Sequence, residues 1–135
     1  RKKEMEEDAI LRELQYIKER INKSSGILTD RQRTAFFFVV IPEEMVILDT
    51  KKAAGLFAKY DVPLAGYVVN RVIPESLARQ NIPDYLRHRL EMQRGHLATI
   101  QREMGSNVLA YIPEFERDIT GLPMIEKMAE TMFGG

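Results

Sequence analysis

The sequence predicts an α/β protein with a parallel sheet and flanking helices, and three observations lead to that prediction. Short apolar runs alternate along the chain with longer segments of helical periodicity. The apolar runs are continuous, which is typical of parallel strands that are buried on both faces. Two of these runs stop at a proline, which cannot donate a hydrogen bond to a strand ladder. The expected order is one helix followed by three strand–helix units with right-handed crossovers.

The first helix is indicated by apolar residues that recur at steps of four, three and four. Ile10, Leu14, Ile17 and Ile21 follow this spacing, and charged residues fill most positions between them. The Ser-Ser-Gly sequence at 24–26 predicts the end of this helix.

The first strand is predicted at TAFFFVVI, residues 34–41, and ends before Pro42. Pro42 followed by Glu43 and Glu44 indicates a helix start, because proline suits the first helical position and carboxylates suit the positive end of the helix dipole. We therefore expect a helix over about 43–60. The two carboxylates are interpreted as first-turn charges, and no catalytic residue is predicted among them.

The second strand is predicted at VPLAGYVVNRV, residues 62–72. A loop with two prolines leads into the long helix PDYLRHRLEMQRGHLATIQREMG, which Gly105 is expected to close. NVLAYI, residues 107–112, gives the third strand, and a last helix is expected over about 121–132.

Composition excludes several classes of function. Twenty basic and twenty acidic side chains cancel, so nucleic acid is not an expected partner. The absence of cysteine excludes disulfides and thiolate metal sites, and a reducing, cytoplasmic location is the expectation. His88 and His96 lie eight residues apart on one predicted helix, which does not indicate a shared metal. Because the chain begins with Arg1 and shows no secretory signal, we expect an excerpt of a longer protein.

Polar residues follow the predicted strands at the edge where parallel sheets bind ligands. Asn70 and Arg71 end the second strand, IPEE follows the first, and IPEFERDITG follows the third. A carboxamide offers an acceptor and a donor in one plane, which matches the amine and adjacent ring nitrogen of adenine. An asparagine at a strand end more often bonds to the loop backbone, and Arg71 alone reads as a surface charge. Both interpretations of Asn70 are open at this point.

Several motifs in order resemble the C-terminal half of the ArsA/GET family of ATPases. The resemblance begins with a V-x-x-P-E element, continues with an acidic-Thr pair six residues on, and includes a strand that ends V-V-N. It extends through EMQRGHLATI and YIPEFERDITGL and covers nearly the whole chain. The matching residues are Val39, Pro42, Glu43, Asp49, Thr50, Val68, Val69, Asn70, Pro113 and Gly121.

The resemblance implies a P-loop ATPase, usually a homodimer or pseudodimer, that binds ATP and Mg²⁺ as the intact protein. It assigns adenine recognition to Asn70, packing on the base to Ile112-Pro113-Glu114, and the nucleotide side to Pro42-Glu43. Residues 1–33 resemble the end of a helical subdomain and its return to the sheet, and 34–135 the C-terminal part of the P-loop NTPase domain. The predicted nucleotide-binding residues are Pro42, Glu43, Asn70, Arg71, Ile112, Pro113 and Glu114.

Two departures from the family pattern limit the expected activity. No G-x-x-x-x-G-K-[ST] occurs in the 135 residues, so this chain alone is expected neither to hydrolyse ATP nor to bind it tightly. The zinc-binding Cys-x-x-Cys of targeting members falls at Pro83 and Leu86, which cannot bind zinc. We expect a fragment of an ATPase that drives arsenite or anion extrusion, with a membrane pump subunit as partner, or that targets tail-anchored membrane proteins. The alternative is a non-catalytic α/β interaction or chaperone module.

Overall fold

The computed structural model describes residues 2–134, with side chains from residue 7 onward. The order of elements is a helix and then three strand–helix units, as predicted. Two short 3-10 turns, Glu75–Arg79 and Gly105–Asn107, lie before and after the helix of the second strand–helix unit. The helices and strands are α1 (Lys2–Thr29), β1 (Phe36–Val40), α2 (Glu44–Lys59), β2 (Leu64–Val72), α3 (Asp84–Met104), β3 (Val108–Pro113) and α4 (Gly121–Phe133).

The three strands form one parallel sheet in the order β1-β2-β3. Val40 pairs with Val69 in the first ladder, and Tyr67 pairs with Val108 in the second. The predicted class, an α/β fold with a parallel sheet and flanking helices, is therefore confirmed. Because all three strands run the same way, their carboxyl ends and the loops that follow them lie along a single edge.

The core lies between one face of the sheet and the helices α2 and α3. Val40 and Val69 of the sheet and Ile100 of α3 are each 0% exposed. Their cluster also contains Ile47 from α2 and Met104, the last residue of α3. Burial of one such aliphatic side chain stabilises the fold by about 1.5–3 kcal/mol, so this cluster fixes both helices against the sheet.

The opposite face of the sheet is covered only in part. Val68 is buried on that face and pairs with the buried Ala110, and α4 packs against β3. In β1, however, Phe37 and Val39 are 46% and 62% exposed. The prediction that the first strand is covered on both faces is wrong within the described residues, because α4 packs at the β3 edge and leaves the outer face of β1 open.

The predicted end of α1 at 24–26 is also wrong, since the helix continues to Thr29. A glycine inside a helix costs only about 1 kcal/mol, which is too little to stop it. The helix ends where Asp30 forms a local turn: its carboxylate accepts a hydrogen bond from the backbone N–H of Gln32 at 2.9 Å, and its carbonyl accepts one from Thr34 at 2.9 Å. The helix therefore ends at an aspartate whose side chain bonds to a backbone N–H group in place of a helical carbonyl oxygen.

Across residues 2–134, no helix combines the length and apolar character that a membrane crossing requires.

Candidate functional site

Two charged side chains join the ends of β2 and β3. The Arg71 Nε donates a hydrogen bond to Glu114 Oε2 at 2.9 Å, although the two residues are 43 positions apart in the sequence. The backbone N–H of Glu114 also donates to the carbonyl oxygen of Val72 at 2.8 Å. The loops that follow the two strands are thus held together at the edge where parallel sheets bind ligands.

A cavity of about 380 Å³ opens beside this ion pair, which is within the usual size range of small-ligand pockets. Four of the seven predicted nucleotide-binding residues line it, namely Pro42, Glu43, Arg71 and Glu114. The remaining three, Asn70, Ile112 and Pro113, do not. Its other walls combine apolar side chains with polar groups from α2 and α3: Ile41, Glu44, Met45, Ile73, Arg89, Met92, Gln93 and His96.

Asn70 lies next to this cavity and bonds to its own loop. Its Oδ1 accepts a hydrogen bond from the backbone N–H of Arg71 at 2.8 Å. Arg71 has a φ of 57°, a left-handed conformation that is uncommon for residues with a side chain. The Asn70 side chain therefore helps to hold a strained residue, and within the described part of the chain its amide nitrogen has no hydrogen-bond acceptor.

The three predicted nucleotide-binding residues at the end of β3 differ in how far they are exposed. Ile112 is only 5% exposed and belongs to the interior, so its side chain supports the loop from below. Pro113 is half-buried at the end of β3, and Glu114 is exposed. Of these three residues, Pro113 and Glu114 are therefore the ones accessible to a ligand.

Sequence reasoning missed Gln93, which anchors the segment directly after β2. Gln93 is 3% exposed, and its Nε2 donates to the carbonyl oxygen of Ile73 at 2.9 Å while its Oε1 accepts from the Ile73 N–H at 2.7 Å. The side chain thus replaces the two hydrogen bonds that a neighbouring strand supplies. A glutamine among charged residues on a helix looks like part of a solvated face, and its place within EMQRGHLATI is the only sequence signal.

The family profile described as anion-transporting ATPase, ArsA ATPase, matches residues 1–134. This chain belongs to the ArsA ATPase family. The membership predicted from the V-x-x-P-E element and the later motifs is therefore confirmed.

Curated relatives of this ArsA-family chain are considerably longer than it is. It is 28% identical over 116 residues to the putative arsenical pump-driving ATPase 1 of Aquifex aeolicus, covering 86% of the chain and 29% of that protein. It is 27% identical over 134 residues to ATPase GET3C of Arabidopsis thaliana, covering 98% of the chain and 34% of that protein. The chain thus spans about a third of the length of these relatives.

Pro83 and Leu86, the two positions where the sequence resemblance places the zinc-binding Cys-x-x-Cys, lie at the start of α3 in this ArsA-family chain. Pro83 immediately precedes the helix, and Leu86 lies in its first turn. Neither side chain is a zinc ligand. Among the residues that the structure describes, no group of three or more histidine, aspartate or glutamate side chains is arranged to hold a metal ion.

A second charged pair links the segment after β2 to α3 in this ArsA-family chain. It predicts that the stability of the fold depends on pH. Arg94 donates from Nε and Nη2 to the two carboxylate oxygens of Glu75 at 2.9 and 2.7 Å. This hydrogen bonding and the positive charge lower the pKa of Glu75 below its ordinary value of 4.5. A folded-state pKa that lies below the unfolded value gives stability that is present above the unfolded pKa and is lost as the pH falls through the folded pKa.

We expect the stability difference between wild type and Glu75→Gln to be small, because both side chains of the pair are about half exposed. The difference should be present at pH 7 and should disappear as the pH falls below 4.5. Melting temperatures measured between pH 7 and pH 2.5, with Glu126→Gln on α4 as a control, test this. A difference that stays constant to the lowest pH contradicts the role of this ion pair.

Proposed function

We propose that this chain forms the adenine-binding, C-terminal part of the nucleotide-binding domain of an ArsA-type ATPase. One observation carries the proposal: the parallel sheet brings Arg71 and Glu114 together at 2.9 Å beside Asn70, at the ligand-binding edge. The base lies against Asn70 and Pro113 in this proposal. The free amide donor of Asn70 and its carbonyl oxygen, which has a second lone pair, supply the two groups that adenine recognition requires.

The neighbouring cavity suits the ribose better than the phosphates. Glu43, Glu44 and Glu114 line it, and carboxylates accept hydrogen bonds from hydroxyl groups but repel phosphate oxygens. Arg71 is already paired with Glu114, so its charge is partly neutralised. This chain therefore recognises the nucleoside, and the phosphates require groups that the 135 residues do not contain.

We propose the function of a complete ATPase for the intact protein only. There, ATP and Mg²⁺ bind where a P-loop outside these residues meets the adenine edge, and the protein acts as a homo-oligomer in the cytoplasm. The names of the family and of one relative suggest that it drives an arsenical or anion pump. The resemblance to GET-type ATPases suggests a second role, the targeting of membrane proteins. Its partner is a membrane pump subunit in the first role and a tail-anchored membrane protein in the second.

The chain on its own should release phosphate from ATP only at the background rate. Phosphoryl transfer depends on positioning and on neutralisation of phosphate charge, and the P-loop backbone, lysine and Mg²⁺-binding hydroxyl are absent from this sequence. Phosphate release by purified wild-type chain is compared with that by Glu43→Gln. A turnover above background that this substitution, or any other within the chain, abolishes contradicts the prediction.

A second candidate function is a non-catalytic interaction or chaperone module. The observation that favours it is the exposed apolar surface of α1, where Ile10, Leu14 and Ile21 are each more than half exposed. An interaction module has no need to distinguish adenosine from guanosine. Nucleoside selectivity at the strand ends therefore separates the two candidates.

A further inference from the structure

The second strand is irregular at the edge where the proposed base lies. In the ladder between β2 and β3, Val69 pairs with Tyr111 and Val72 pairs with Pro113. Three steps along β2 thus correspond to two steps along β3, which is the arrangement of a β-bulge. The bulge contains Arg71 with a φ of 57°, a conformation that only glycine adopts without cost. Bulges next to ligand sites change the direction of a side chain, so this one bears on how the strand end binds a ligand.

Neighbouring contacts hold the chain in this bulge. The backbone N–H of Glu114 donates to the carbonyl oxygen of Val72 at 2.8 Å, and the Glu114 carboxylate accepts from Arg71 Nε at 2.9 Å. Gln93 bonds to both backbone groups of Ile73. Because the chain after the bulge is held at two successive residues, Arg71 stays in a conformation that its side chain disfavours.

The bulge directs the backbone N–H of Arg71 at the side chain of Asn70. This N–H donates to Asn70 Oδ1 at 2.8 Å. A backbone N–H can only donate, so the carboxamide atom that faces it is the oxygen and not the nitrogen. The Arg71 backbone therefore fixes the orientation of the Asn70 carboxamide.

The orientation of a carboxamide determines which purine it can pair with. Adenine offers an amine donor beside a ring-nitrogen acceptor, whereas guanine offers a carbonyl acceptor beside a ring N–H donor on the same edge. A carboxamide that turns through 180° exchanges its donor and its acceptor. An asparagine that turns freely can thus pair with either base, and an asparagine that is held pairs with only one.

We propose that the left-handed backbone of Arg71 determines base specificity, because its N–H holds Asn70 in the orientation that pairs with adenine and not with guanine. In this proposal, which rests on the adenine site proposed above, Arg71 is a positioning residue. It acts through Asn70, and its guanidinium has no need to touch the base.

Substitutions at position 71 separate the role of the backbone from that of the guanidinium. Arg71→Gly and Arg71→Val both remove the group that pairs with Glu114. Glycine adopts a positive φ readily, whereas a β-branched residue is strongly disfavoured there and favours a regular strand. We therefore expect the N–H to stay on Asn70 in Arg71→Gly and to turn away from it in Arg71→Val.

The measured quantity is the ratio of the dissociation constants for guanosine and adenosine, from nuclear magnetic resonance titrations of the ¹⁵N-labelled chain. We expect this ratio to fall from at least about ten in wild type to about two in Arg71→Val, and to keep its wild-type value in Arg71→Gly. A change of affinity that is common to both nucleosides cancels in the ratio. Arg71→Ala, which has an unbranched β carbon, should give an intermediate ratio of about five.

Two controls accompany the titrations. Glu75→Ala breaks the exposed ion pair with Arg94 in the segment after β2 without touching the bulge, and it should leave the ratio unchanged. In the nucleoside-free protein, the nuclear Overhauser effect between the amide and α protons of residue 71 reports its conformation, because a positive φ brings these two protons close together. This effect should be strong in wild type and weak in Arg71→Val, and circular dichroism checks that each variant is folded.

The order of the variants decides the outcome. A ratio that declines from Arg71→Gly through Arg71→Ala to Arg71→Val supports the proposal. An Arg71→Val protein, or an Arg71→Ala protein if the first does not fold, that keeps the wild-type ratio overturns it and leaves the adenine site in place. An equal loss in Arg71→Gly also overturns it, because the guanidinium then selects the base. Equal binding of the two nucleosides by wild type overturns both the adenine site and the role of Arg71.

Discussion

Replacing Gln93 with alanine is expected to lower the free energy of unfolding by about 2 kcal/mol. The substitution removes both hydrogen bonds that Gln93 makes to Ile73 and leaves a half-buried backbone N–H and C=O without partners. Since Ile73 leads directly from β2 into the loop, the change should also loosen the cavity wall that the two residues share. Urea unfolding followed by circular dichroism measures the loss.

Two further variants separate hydrogen bonding from packing. Gln93→Met keeps most of the side-chain volume without its polar atoms, so it should lose nearly as much stability as Gln93→Ala. Gln101→Ala lies on the same helix and removes a hydrogen bond between Gln101 and the Tyr111 hydroxyl at an exposed site, and it should cost within about 0.5 kcal/mol. A Gln93→Met protein that is as stable as wild type shows that the bonds to Ile73 contribute nothing.

Replacing Asn70 with aspartate should weaken nucleotide binding by the intact protein roughly ten- to a hundredfold. In the proposed site, aspartate loses the donor expected to face the adenine ring nitrogen and brings a negative charge close to it. It still offers an oxygen to the backbone N–H of Arg71, the bond that holds this left-handed residue in the free protein. Asn70→Asp therefore removes base recognition while it preserves the local fold.

Asn70→Ala is the complementary variant, because it removes both functions at once. The proposed role in adenine recognition predicts that the two variants lose similar nucleotide affinity, and that only Asn70→Ala lowers the melting temperature of the nucleotide-free protein. If Asn70 only fixes the loop, Asn70→Asp should bind ATP like wild type and should not change the preference for ATP over GTP. Calorimetric titration with ATP and GTP, together with melting curves of both variants, decides between these outcomes.

The sequence predicts the parts of this fold that depend on local patterns. Continuous apolar runs separated by helical periodicity are sufficient to predict the parallel sheet and its order of elements, and β2 is buried through Tyr67, Val68 and Val69 as expected. The run Phe36–Val40 contains no polar residue to mark an outer face, so the exposure of Phe37 and Val39 leaves no trace in its composition.

In the candidate site, too, the sequence predicts local features but not the contacts between residues that are far apart in the chain. The strand ends were predictable because chain direction places Asn70, Arg71 and Glu114 at one edge. The contacts that fix these residues were not predictable from the sequence. Gln93 bonds to a backbone group 20 residues away, and Arg71 pairs with a carboxylate 43 residues away. Such pairs depend on how α3 and the β3 loop pack, and packing is not encoded in the spacing of either segment.

The most direct test of adenine recognition is a nuclear magnetic resonance titration of the ¹⁵N-labelled chain with adenosine and with guanosine. Without phosphate contacts the affinity should be weak, with a dissociation constant on the order of 1 mM. We expect adenosine to shift the side-chain amide signals of Asn70 and the backbone signals of Arg71 and Glu114, guanosine to act at least tenfold more weakly, and Asn70→Asp to abolish the selectivity. Equal shifts with both nucleosides, or adenosine shifts that persist unchanged in Asn70→Asp, contradict the assignment of this edge as an adenine site.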